Sequence, residues 1–181
     1  MAVGRAARSS GGVTLHLEHP QMLDASPDLR AFLAEYLEIV VSTLHADGGP
    51  KVNADTMLAA TLDHLEDYQP PQGRTTLVRD ADGRLQASIF VRMIRSDVAE
   101  MKRLYVRPMA QRLGLGQRLT EKALDDARSM GAREIYLDTL AAFTPARRLY
   151  ERLGFRYIDS YPESENPGPM IPFTVCMAKT L

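Results

Sequence analysis

Two hydrophobic periods share this chain, and the changes between them mark out its elements. Residues 13–18 (VTLHLE) alternate apolar and polar, the two-residue period of a half-buried strand. From Leu29 the spacing turns helical: Leu29, Phe32, Leu33, Tyr36, Leu37, Val40 and Leu44 recur at intervals of three and four. Ser26 precedes this run as a cap, and Pro27 takes the first turn, where its missing N–H is no loss. HADGGP breaks the helix. Asn53 opens a second one, with Met57, Leu58, Leu62 and Leu65 on its apolar side, and YQPPQG follows as a rigid loop.

From residue 75 the two-residue period returns. TTLVRD and LQASIFVRMIR predict two strands joined by a tight turn at Asp82-Gly83, residues that tolerate positive φ. AEMKRLYV adds a third strand and closes a meander. A glycine-containing loop leads into a helix from Gly114 to about Met130, striped by Leu115, Leu119, Ala123, Ala127 and Met130 and ended by Gly131. EIYLDT is a short strand. TPARRLYERLGF is a helix capped by Thr144, opened by Pro145 and ended by Gly154. FRYID and FTVCMAKTL are closing strands, separated by the Pro/Gly-rich YPESENPGPMIP. The strand–helix–strand unit around the glycine loop predicts a parallel, right-handed crossover. The whole predicts an α/β (α+β) architecture, one mixed sheet with helices on both faces.

Composition narrows the function classes. The chain has 181 residues, 45% hydrophobic and 25% charged, which suits one packed domain. We expect a flexible N-terminal tail over residues 1–11 and a single domain over 12–181. A formal net charge of −1 offers no basic excess for nucleic acid. No apolar run approaches the ~20 residues of a membrane-spanning helix, so no membrane partner is expected. The lone cysteine, Cys176, allows no intrachain disulfide and points to a cytoplasmic setting; in a closing strand it is a buried small residue rather than a nucleophile. His16, His19, His45 and His64 show no metal-ligand spacing, and Met101 and Met130 fit the core, so no metal is expected.

The candidate chemistry lies in QRLGLGQR, residues 111–118. A loop that leaves a strand and enters a helix exposes unpaired N–H groups at the positive end of the helix dipole. Glycines let an anion approach the backbone, and Arg112 and Arg118 add charge, so phosphate or pyrophosphate is the natural guest. The Walker pattern is absent. The dinucleotide fingerprint fails at its third small position, where Leu119 stands, and the loop follows a meander rather than opening a βαβαβ repeat.

Gln111-Arg112-Leu113-Gly114-Leu115-Gly116 resembles the Q/R-x-x-G-x-G/A loop of the GNAT superfamily of acyl-CoA-dependent N-acyltransferases. EMKRLYVRP upstream resembles that fold's fourth strand, LDTL its fifth, and ARRLYERLGF the helix and turn that follow; these signatures, with the ending YPESENPGPMIPFTVCMAKTL, resemble a bacterial subgroup. The likeness is close over residues 75–181 and by element order before that. It implies a GNAT-like fold: a mixed, mostly antiparallel sheet of six to seven strands, flanked by about four helices.

The resemblance also implies roles. Main-chain groups of Leu104, Tyr105 and Val106 would bind the pantetheine arm of acetyl-CoA, and the loop from Gln111 through Arg112, Leu113, Gly114, Leu115, Gly116 and Gln117 to Arg118 its pyrophosphate. Tyr150 takes the position of the tyrosine that protonates the departing thiolate; a phenol with a pKa near ~10 carries its proton at neutral pH. Its other reading is packing beside Leu149. Glu100 is the candidate base; its other reading is an exposed strand carboxylate paired with Arg95. Asp138 suits a loop cap better than a base. Arg92, with Arg74 and Arg95 nearby, could clamp a substrate carboxylate, or line a solvated strand face. Arg147, Arg148 and Arg152 offer partners for a 3′-phosphate. The family often places Asn where this chain has Phe143; Thr144 compensates or caps.

The expected function is transfer of the acetyl group of acetyl-CoA to a primary amine of a small molecule or amino acid by direct attack; the sequence does not set the oligomeric state, and a homodimer is what the resemblance allows, since dimers are common in the family. Two alternatives stand beside it: a protein or peptide N-acetyltransferase with an open groove, and a non-catalytic acyl-CoA-binding module.

Overall fold

The computed structural model describes residues 7–8, 14–164, 166 and 168–181. Its strands are β1 (Ala7–Arg8), β2 (Thr14–Glu18), β3 (Gly73–Asp80), β4 (Leu85–Met93), β5 (Val98–Val106), β6 (Glu134–Leu140), β7 (Arg156–Ile158) and β8 (Thr174–Thr180). The helices are α1 (Pro27–Ala46), α2 (Ala54–Asp63), α3 (Leu115–Ser129) and α4 (Thr144–Arg152). Short 3-10 turns at Leu65–Tyr68, Pro108–Ala110 and Gly168–Phe173 were not anticipated. Among the described residues, all of these strands join one sheet in the order β1-β2-β3-β4-β5-β6-β8-β7, and only β5 and β6 pair in parallel. The fold is thus the mixed, mostly antiparallel sheet that was expected. Ala7 and Arg8, inside the expected tail, pair with Leu15 and Thr14 as an edge strand; the rest of that tail lies outside the described residues.

Alternation along the strands explains the two layers. Ala87, Ile89 and Val91 of β4 pack with Leu115, Leu119, Ala123 and Ala127 of α3 on one face. Phe90, between them in sequence, turns to the other face and joins Phe32 and Leu33 of α1. Gly73 begins β3 because nothing larger fits: a Cβ there would sit 2.2 Å from the Asp67 carbonyl oxygen.

Two caps differ from expectation. Ser26 donates its hydroxyl to Asp28 Oδ1 (2.6 Å), and it is Asp28 Oδ1 that accepts the Leu29 N–H (2.9 Å). The ionised Asp28 side chain inside the first turn takes the free donor and gains from the helix dipole. Thr144 is the first residue of α4, not its cap; Phe143 holds the cap position with no side-chain bond. Asn53 does cap α2, accepting the Thr56 N–H at 3.0 Å.

Candidate functional site

β5 and β6 are joined by a ladder over only three pairs, Val98–Glu134, Ala99–Ile135 and Glu100–Tyr136. Beyond Glu100 the two strands part. β5 keeps its partner β4, and β6 keeps β8 through Leu140. The parting coincides with a bulge in β5, where the pairing shifts from Phe90–Lys102 to Ser88–Tyr105 and Arg103 takes φ +56°. A bulge bends and twists its strand, and it commonly places glycine at the left-handed position. Here arginine occupies it, and the fully buried Ser88 hydroxyl holds the Arg103 carbonyl oxygen at 2.8 Å.

The gap forms a cavity of about 100 Å³ lined from both faces of the sheet, by Tyr36, Leu37 and Val40 of α1 and by Ala146 and Tyr150 of α4. Leu104 and Lys102 of β5 and Asp138 and Leu140 of β6 form its walls. A second cavity of about 430 Å³ adjoins it and shares Met57, Lys102, Arg103, Asp138, Asn166 and Met170; Asn53, Thr56, Ala60 and His64 line its α2 side.

The glycine loop enters α3 with Arg112 at φ +67° and Gly114 at φ +71°. Left-handed residues among right-handed ones turn successive amides toward one concavity, an arrangement suited to anions. Among the described residues, no main-chain oxygen accepts the N–H groups of Arg112 through Gln117, and the first loop-to-helix bond is Arg118 N–H to the Gly114 oxygen at 3.1 Å. Gly114, Arg112, Gln117 and Arg118 are exposed. Leu115 is buried and anchors the helix start. Gln111 donates to the Val106 oxygen at 3.1 Å and ties the loop to the end of β5.

Tyr150 is buried against Phe155 and lines the gap, and none of the described residues hydrogen-bonds its hydroxyl. Burial, with the nearby Tyr36 and Asp138, pushes its pKa well above that of a free phenol, so it stays protonated. Tyr105 turns its ring to the opposite layer and donates its hydroxyl to Glu35 (2.6 Å), which leaves only its main chain for a ligand. Thr144 is exposed, and Phe143, not Thr144, lines the gap.

Glu100 is not the exposed carboxylate paired with Arg95. Its side chain is wholly buried; Oε2 accepts from Arg92 Nε and Nη2 (2.9 Å each), and Oε1 accepts from the Tyr161 hydroxyl (2.6 Å) and lies 3.2 Å from Lys102 Nζ. Strand alternation puts Glu100 and Lys102 on the same side two residues apart, and a buried charge demands such partners. Arg92, the expected substrate clamp, is engaged by Glu100, by Asp67 at 3.2 Å and by the Tyr68 ring, away from the gap. Arg95 instead forks onto Glu163 at 2.6 and 2.8 Å. Arg147 is tied to the Ala141 oxygen and the Tyr157 hydroxyl.

Asp138 does not cap a loop. It forms a close ion pair with Lys102 across the gap and lines both cavities. Burial raises its pKa, but the Lys102 ammonium prevails and holds the carboxyl below the usual range. Sequence reasoning missed Lys102 and Asn166 altogether. The i, i+2 spacing of Glu100 and Lys102 in a predicted strand was the available signal for the first; nothing in the sequence pointed to the second.

Residues 39–155 match the family model described as the acetyltransferase (GNAT) family. An uncharacterized N-acetyltransferase of Schizosaccharomyces pombe is 32% identical over 155 residues, covering 85% of this chain and 87% of that protein. The mycothiol acetyltransferase of Beutenbergia cavernae is 37% identical over 99 residues, half of this chain and 33% of that one. Among solved structures, a GNAT acetyltransferase of Staphylococcus aureus superposes with a TM-score of 0.69 at 18% identity, covering 91% of this chain and 99% of its own. A Salmonella typhimurium acetyltransferase determined with its cofactor acetyl-CoA gives a TM-score of 0.55 at 18% identity over 91% and 94%. The chain belongs to the GNAT acetyltransferase family. No helix among the described residues is long and apolar enough to cross a membrane.

Proposed function

We propose that this protein transfers the acetyl group of acetyl-CoA to a primary amine of a small molecule. The parting of β5 from β6 carries the reading. It leaves strand edges unpaired beside a cavity, with a run of unaccepted amides in the loop that follows β5 and a protonated phenol in the cavity wall.

The residues fit the cofactor. The amides of Arg112 to Gln117 would hold the pyrophosphate, with Arg112 and Arg118 alongside. The main chain of Leu104, Tyr105 and Val106, which β6 leaves unpaired and where Gln111 engages the Val106 oxygen, would pair with the amide-bearing pantetheine arm. The thioester supplies an activated acetyl group. Main-chain donors at the β5 bulge would polarise its carbonyl, and Tyr150 would give its proton to the leaving sulfur. The second cavity, about 430 Å³ and bordered by α2, has the dimensions of a small-ligand site, which supports a small acceptor over a polypeptide. The Salmonella relative's acetyl-CoA supports acetyl as the group carried.

Calorimetric titration with acetyl-CoA, with NADH and ATP as controls, tests the reading. Selective acetyl-CoA binding, followed by thiol release with an amine, is the expected result. No binding would reduce the glycine loop to a helix start.

A further inference from the structure

We propose that Asp138, oriented by Lys102, is the group that accepts the proton of the attacking amine, and that Glu100 serves as a positioning residue behind Lys102. The proposal rests on the amine acetyltransferase reading above.

The two carboxylates differ in what they can reach. Glu100 has no exposed side-chain surface and both of its oxygens are engaged. Asp138 keeps 13% of its side chain exposed and borders both the gap and the larger cavity. It lies on β6 beyond the last residue paired with β5, in the segment that the parting leaves open. An amine that enters by the α2 side and meets a thioester in the gap must pass it.

Lys102 gives this carboxylate its direction and its context. Its ammonium bridges Glu100 and Asp138, so the chain Arg92–Glu100–Lys102–Asp138 runs from the sealed part of the sheet to the cavity wall. The other titratable groups facing Asp138 are Arg103 on β5, Tyr36 on α1, Tyr150 on α4 and Cys176 on β8, with Tyr161 behind. Among the described residues neither cavity is lined by a second carboxylate, and His64 also lines the larger one.

The step balances. The nitrogen lone pair forms the C–N bond to the thioester carbon, and the carbonyl pair moves onto oxygen. Nitrogen gains positive charge and its proton passes to Asp138. The oxygen pair returns, the C–S bond breaks, and sulfur leaves with its electrons and takes the Tyr150 proton. Water carries the proton from Asp138 back to Tyr150. The products are an amide and a free thiol.

The test uses the full chain. Thiol release from acetyl-CoA is first screened against the amino acids, polyamines and amino sugars to obtain an acceptor. Asp138→Asn should then lose about 100-fold or more in kcat, with acetyl-CoA affinity by calorimetry within about twofold of the wild type. Asp138→Ala should regain turnover when formate is added, which a merely structural residue would not allow. Glu100→Gln, which keeps hydrogen-bond partners for Arg92 and Tyr161, should lose only about fivefold. Turnover of Asp138→Asn within threefold of the wild type, or an equal loss in Glu100→Gln, would overturn the assignment and leave the acetyltransferase reading intact. A wild-type protein that fails to bind acetyl-CoA, or binds it and acetylates no amine, would overturn both.

Discussion

At Ala99 and Glu100, β5 lies in a ladder on both sides, antiparallel to β4 and parallel to β6; between Met101 and Val106 it keeps β4 alone. The paired end is filled by a buried ion cluster in which Glu100 is matched by Arg92, Lys102 and Tyr161. The open end carries a bulge, a left-handed arginine and two adjoining cavities. One strand thus holds the sheet together at its start and releases it at its end. Strain and unpaired backbone concentrate where a ligand can enter, and the sealed half supplies the rigidity that keeps the open half in shape. The Lys102 side chain links the two ends, because it reaches Glu100 on one side and Asp138 on the other.

Removing a group from the sealed end should be a stability event first. Glu100→Ala strips a partner from two buried cations and from the Tyr161 hydroxyl, and breaking such a cluster costs about 3–5 kcal/mol. Urea unfolding would measure it; a loss below about 1 kcal/mol would mean that the cluster is hydrated and the end is not sealed.

Changes at the open end should spare the fold and strike the ligand. Gly114→Val forces a β-branched residue to φ +71° at the helix entrance, although the space around its Cβ is clear. Stability should fall by about 1–2 kcal/mol, while acetyl-CoA affinity falls about 100-fold, or about 2.7 kcal/mol. Unchanged affinity by calorimetry would remove the loop from the binding site. Tyr150→Phe keeps the ring that packs on Phe155 and deletes only the hydroxyl. Acetyl-CoA affinity should hold while kcat drops by about 100-fold, and a rate equal to the wild type would leave Tyr150 with packing alone.

The smallest effect is expected at the rim of the sealed end. Arg95 forks onto Glu163, and that bond holds the Glu163 carboxyl at about 2, against an ordinary value of 4.5. A depressed folded-state value means that the pair stabilises the protein above pH 4.5 and that the contribution disappears as pH falls through about 2. Glu163→Gln should therefore flatten the acid limb of a melting-temperature profile over that window and change nothing at neutral pH beyond the loss of the pair. An acid limb identical in the variant would show the pair to be fully screened.

Much of the frame was legible in the residues. Element order followed from period alone: the helical run from Leu29, the alternation of LQASIFVRMIR and the stripe on α3 each fell where the structure has them. The unaccepted amides of the glycine loop were legible because they belong to consecutive residues. Caps were less so: Asp28 rather than Ser26 takes the free Leu29 amide, and Phe143 holds the cap position ahead of Thr144 with no side-chain bond. The surroundings of Glu100, Arg92 and Arg95 were misjudged together. Strand alternation gives a face but not its depth, and whether that face is open or sealed depends on Tyr161 and Glu163, about sixty residues away.

By itself, then, the sequence determined the elements, their order and the run of consecutive amides in QRLGLGQR, because periodicity and consecutive amides act within a few residues of each other. Only the tertiary structure decided that β5 and β6 separate after three pairs, that Glu100 is sealed and Asp138 reachable, and that Lys102 stands between them. Those facts arise where strands distant in the chain meet. The cost of burying a charge is settled by which partners the fold brings to it, and no local pattern encodes that choice.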